Sequence, residues 1–142
     1  MPATSTVNEQ VIEAFVSGPD GANRLLTCTG QAPLGMYAGG GQSLRDTWTF
    51  LVGPALPHPQ FHRATASVFV AGYAIYVPPV TDPMMANAWH SLDFQSVEAD
   101  WDDESGKTQM HVEVALSTGT GLYFTLSKIG FSVTVLAEST AP

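Results

Sequence analysis

The chain of 142 residues carries 13 acidic against 5 basic side chains, a formal charge of −8, which argues against nucleic-acid partners because phosphate binding draws on clustered Lys and Arg. The same balance disfavours anionic membranes, and no run of roughly 18 apolar residues offers a membrane span. One cysteine, Cys28, excludes an intramolecular disulfide, and this length suits a single domain with one core.

Residues 1–8 are small and polar and read as a flexible arm, with one domain over residues 9–142. No basic segment followed by an apolar run opens the chain, so a cytoplasmic location is expected. Leaderless export or particle-associated release would leave the same sequence. Thr6-x-x-Glu9 resembles a helix capping box, and Val7, Val11, Ile12 and Phe15 sit near helical spacing. Those residues are also strand formers, and they run into Gly18-Pro19-Asp20-Gly21, where Pro presets φ, Asp bonds to nearby backbone and Gly accepts positive φ. With residues 24–29 as a second apolar run, a hairpin is the preferred reading.

Residues 30–43 are Gly-rich and read as a long connection. No Lys follows Gly39-Gly40-Gly41, so the phosphate-loop pattern is absent. Residues 44–52 alternate Trp48 and Phe50 with Thr47 and Thr49, the period of a strand. Residues 53–60 hold three prolines and should be irregular. Residues 65–77 are apolar on both faces and read as a central strand, bent at Gly72. Residues 80–89 form a loop or a single helical turn, with Asp82 as N-cap and Pro83 at the first helical position. Its Met84, Met85 and Trp89 are unusual for a solvated connection and are expected to lid the core or face a partner.

Residues 92–101 change phase near Gln95 and Ser96, which a bulge explains. A turn at residues 102–106 leads into the strand 108–117, where Met110, Val112, Val114 and Leu116 alternate with Gln109, His111, Glu113 and Ala115. A turn at 118–121, a short strand at 122–126, a tight link at 127–130 and a last strand at 131–137 complete the chain. Roughly eight strands at this spacing predict an all-β fold, a two-layer antiparallel sandwich, with jelly-roll and immunoglobulin-like topologies both open.

Candidate chemistry is sparse. Asp100, Asp102, Asp103 and Glu104 suggest a calcium loop, yet Ser105 stands where the EF-hand requires Gly, and the twelfth position is His111 rather than Glu. A hairpin turn with Gly106 in a left-handed position accounts for them better. His58 and His62 are spaced like metal ligands on a helix, but Pro57 and Pro59 flank His58. G-x-S-x-G, H-E-x-x-H and C-x-x-C are absent, so no enzyme is expected. No cofactor is expected either, calcium being the one weak candidate.

The aromatics are the remaining lead. Tyr37, Trp48, Tyr73, Tyr76, Trp89, Trp101 and Tyr123 are many for uniform burial, and Tyr37, Met84, Met85 and Trp89 are the candidate binding residues. Charged residues make up 13% of the chain against a typical ~25%, which leaves little polar surface for a solitary monomer. The expected function is a non-enzymatic binding or assembly protein, a homo-oligomer subunit whose partner is itself or another protein. The alternative is a lectin-like carbohydrate-binding module using Tyr37, Trp89 and the turn around Asp102, with or without calcium.

Overall fold

A computed structural model describes residues 2–18, 21–79 and 87–138. Strict alternation builds the framework: over Thr108–Thr118 every even-numbered residue is buried and every odd-numbered one is half-buried, a pattern that suits a pleated strand and not a 3.6-residue helix. Seven strands form among the described residues, β1 (Val7–Gly18), β2 (Gly21–Ala38), β3 (Ser43–Val52), β4 (Phe61–Tyr76), β5 (His90–Trp101), β6 (Thr108–Thr118) and β7 (Tyr123–Glu138). A 3-10 turn at His58–Gln60 interrupts the otherwise irregular link from β3 to β4.

All pairings between these strands are antiparallel. One sheet has the order β1-β2-β7-β4 and the other β3-β6-β5, which is the expected two-layer sandwich. An immunoglobulin order would place the fifth strand between the second and fourth and the seventh beside the sixth; here the fifth and seventh have exchanged places. The pairs nest instead, β2 with β7 and β3 with β6, while β4 lies alongside β5 at the seam. Between the layers Leu26, Met110, Val112, Leu126, Phe131 and Val133 are at most 1% exposed, and Phe50 and Phe131 bridge the sheets with ring centres 5.3 Å apart.

Several expectations hold and others are corrected. The hairpin of β1 with β2 forms, the register of β5 shifts between Phe94 and Ser96, and that of β4 shifts around Gly72. Residues 30–43, expected as a connection, are strand as far as Ala38. Pro33 is tolerated there because the last residue of β2 paired with β1 is Gln31, so beyond it one side of β2 is free and needs no N–H. The apolar run expected as a central strand lies in β4, among the described residues an edge strand bonded to β7 alone; its second apolar face is bare, with Phe69 and Tyr76 more than half exposed.

The expected link at residues 127–130 is instead the middle of β7, which reduces the strand count from the expected eight. Buried positions on β7 are even-numbered at Phe124 and Leu126 and odd-numbered at Ile129, Phe131 and beyond. Both neighbours slip at the same level, β2 between Pro33 and Met36 and β4 at Gly72, which pairs with Lys128. A row of irregularities across three strands lets the sheet bend without breaking.

The residues expected as an arm are laid along the sandwich. Thr4 N donates to Thr49 O at 3.0 Å and Thr49 N donates to Pro2 O at 3.1 Å, and β1 already begins at Val7. No helix among the described residues is long and apolar enough to cross a membrane.

Candidate functional site

Beyond the row of bulges β2, β7 and β4 continue side by side. Ala38 and Phe124 are buried there, so alternation turns their neighbours Tyr37, Tyr123 and Thr125 to the outer face. Register places Tyr37 and Ala74 beside Thr125 and Tyr76 beside Tyr123, which brings three tyrosines from three strands together. Ring centres are 6.3 Å apart at 23° for Tyr37 and Tyr123, and 6.0 Å apart at 45° for Tyr76 and Tyr123, within the range of favourable aromatic pairs. With Ala74, Ile75, Pro78 and Thr125 they line a shallow groove of about 300 Å³, with no charged side chain among the described residues of the lining. On the core side of the same end, Tyr73 and His90 both stack on Phe124, with ring centres at 6.1 and 5.0 Å.

A second feature lies along β1. Register puts Val11, Glu13 and Phe15 on the side of Cys28 and Leu26, and Ile12, Ala14 and Val16 on the other. Neither side is covered: Ile12 is 68% exposed and Phe15 65%. Glu13 is held by Arg24, whose Nε donates to Oε1 at 2.7 Å. Among the described residues β1 is an edge strand with β2 as its only strand partner, and it lacks the Lys and Pro residues that usually protect such edges.

The bulge at the start of β1 has a separate role. Asn8 takes a positive φ of 54°, where the register of β1 shifts. Glu9 then accepts from Gly53 N and from Thr6 Oγ1, both at 2.6 Å. Gly53, at φ 72°, lies so close to Cys28 that a Cβ there would sit 2.9 Å from its Sγ. Burial, and secondarily the charge of Glu9, push the Cys28 thiol up from 9.0 to about 11, which makes it an inert packing residue.

Of the residues expected to bind, Tyr37 lies in the groove. Trp89 is half-exposed but anchored over Gly119: its carbonyl accepts from Gly119 N at 2.8 Å, and a Cβ on Gly119 would lie 2.8 Å from its ring. Met84 and Met85 lie outside the described residues, as do Asp82 and Pro83. The acidic turn is at the opposite end of the sandwich, where Leu56 N donates to Gly106 O at 2.7 Å, so Tyr37, Trp89 and Asp102 do not share a site. Asp102 Oδ2 accepts from Ser105 N and Oγ at 3.1 and 2.7 Å, and Asp100 Oδ1 accepts from Trp101 N at 2.8 Å; Asp103 and Glu104 are exposed. These bonds close an Asx-type hairpin turn. His58 stacks on Trp101 with ring centres 4.3 Å apart, while His62 is exposed at the start of β4. Among the described residues no three His, Cys, Asp or Glu are grouped as a metal would require.

Sequence reasoning did not assemble Tyr76 and Tyr123 with Tyr37, because only register across three strands does so. Nor did it single out β1, whose signal was an apolar pattern too dense for a one-sided strand. No protein-family model, curated protein or solved structure matches the chain.

Proposed function

We propose that this chain is a non-catalytic β-sandwich subunit that assembles with copies of itself through β1. The observation that carries the reading is an edge strand apolar and exposed on both faces, with Ile12 and Phe15 each about two-thirds exposed. Patches of this kind mark association surfaces. The part of β1 in unbroken register with β2 is the run from Gln10 to Gly18, and Ala14 is its midpoint. Antiparallel pairing of that run with a second copy about a two-fold axis at Ala14 sets Ile12 against Val16 and Val11 against Ser17. It keeps the two Glu13 side chains apart, each already bound to its own Arg24. The contact is isologous, the commonest kind in homo-oligomers.

The carbohydrate-binding alternative gains nothing from the acidic turn, which stands at the far end from Tyr37 and Trp89. Sedimentation equilibrium of the full chain tests the assembly reading: a dimer or higher species at micromolar concentration is expected, and a monomer throughout refutes it.

A further inference from the structure

The aromatic groove lies apart from the β1 edge, since β1 stops pairing with β2 at Gln31, before Tyr37. The geometry points to a binding site there for proline-rich segments in the extended polyproline II conformation, flanked by Lys or Arg.

The first ground is donor and acceptor matching. Among the described residues, the polar side-chain atoms of the lining are the hydroxyls of Tyr37, Tyr76, Tyr123 and Thr125. A proline segment presents carbonyl acceptors and lacks N–H groups of its own, so donors are what it asks for, and hydroxyls supply them. An oligosaccharide presents hydroxyls that donate as well as accept. Tyr and Thr hydroxyls can take either role, so an oligosaccharide is the competing ligand that the test must exclude.

The second ground is spacing. Ring centres along the groove are 6.3 and 6.0 Å apart, and polyproline II rises ~3.1 Å per residue, so ~6 Å spans two residues. Successive rings therefore meet successive X-Pro dipeptides, the aromatic-groove mode of recognition. Tyr side chains held on paired strands lose little freedom when covered, which keeps the ordering cost of binding low.

The third ground is charge. The net charge of −8 over the whole chain favours encounter with cationic partners. The proline core supplies the fit and the basic flanks supply the encounter rate.

Isothermal titration of the full chain with a peptide of six prolines between paired lysines tests the site. A Gly-Ser peptide with the same lysines and maltohexaose serve as the other arms. The proline peptide should bind, Tyr76→Ala should weaken it about tenfold or more, and Tyr37→Phe or Tyr76→Phe, which keep the ring and remove the donor, about threefold to tenfold. His62→Gln, at an exposed position at the far end of β4 from Tyr76, should leave the affinity unchanged. Tyr37 and Tyr76 are more than half exposed, and the Phe variants remain informative if an Ala variant does not fold. No binding at millimolar peptide, equal binding of the Gly-Ser control, wild-type affinity in Tyr76→Ala, or maltohexaose binding that depends on Tyr76 would each overturn the assignment.

Discussion

Replacing Ile12 by Lys tests the assembly of β1 through its register. In the self-pairing about Ala14 the side chain of Ile12 faces Val16 of the other copy, and the contact occurs twice. Ile12 is 68% and Val16 46% exposed in the single chain. Covering those fractions is worth about 1.5 and 1 kcal/mol per copy, or ~5 kcal/mol for the dimer, at ~25 cal/mol per Å². Ile12→Lys removes about 3 kcal/mol of this and sets an ammonium against an aliphatic side chain, so the dissociation constant should rise at least a hundredfold at ~1.4 kcal/mol per decade. Val16→Glu should act likewise with a smaller loss, ~2 kcal/mol. The double variant places an introduced cation opposite an introduced carboxylate of the partner, ~5 Å apart across the strands, whereas within one chain the two are ~13 Å apart. It should therefore associate more tightly than either single variant. Sedimentation equilibrium with circular dichroism as the fold control provides the assay. A double variant no better than the singles would refute the register even if the wild type dimerises.

Cys28 gives a pH prediction. The folded chain retains a thiol proton up to about pH 11 that the unfolded chain releases near 9.0, so this contribution to stability is full below about pH 9 and is lost as pH rises towards about 11. Urea midpoints should fall across that window in the wild type and fall less in Cys28→Ala. Glu9→Ala removes the acceptor for Gly53 N and Thr6 Oγ1 and should cost about 1–3 kcal/mol in chemical denaturation. It should also lower the Cys28 titration, because Glu9 is the second cause of the shift. Phe131→Ala empties the centre of the core, where Phe131 is 1% exposed, and should cost about 3–5 kcal/mol, read as a fall in Tm of ~10–15 °C for a domain of this size.

The core was legible in the sequence because β6 and the second half of β7 alternate cleanly, and an alternation with one wet face has one outcome in a sandwich. Turn chemistry was legible for the same local reason: Asp102, Ser105 and Gly106 act on one another within five residues. What was not legible depended on neighbours. The phase slip at Ser127 and Lys128 reads equally as a turn or as a bulge, and it is the simultaneous slips of β2 at Pro33–Met36 and β4 at Gly72 that make it a bulge. An apolar run such as Val68 to Tyr76 is the same string of letters whether its second face is covered by protein or left open. The groove has the same origin. Tyr37 stood out by its place beside a Gly-rich stretch, but Tyr76 and Tyr123 join it only through the register of β7 with both flanking strands.

β1 is the instructive case, because the ambiguity of its sequence was itself a signal. Val11, Ile12, Phe15 and Val16 recur at i, i+1, i+4 and i+5, which gives a single apolar stripe on a helix and two apolar faces on a strand. The pairing with β2 selects the strand, and that selection is what exposes both faces. A strand buried in a core could hide two apolar faces, but β1 is an edge strand of a four-stranded sheet packed on a three-stranded one, and Phe15 on its core side is still 65% exposed. The folded monomer thus leaves unburied an apolar stripe that the helical alternative could have hidden against the core. Retaining the strand at that cost is accounted for when a second copy covers it, which ties the assembly proposal to the choice of secondary structure and not to exposure alone.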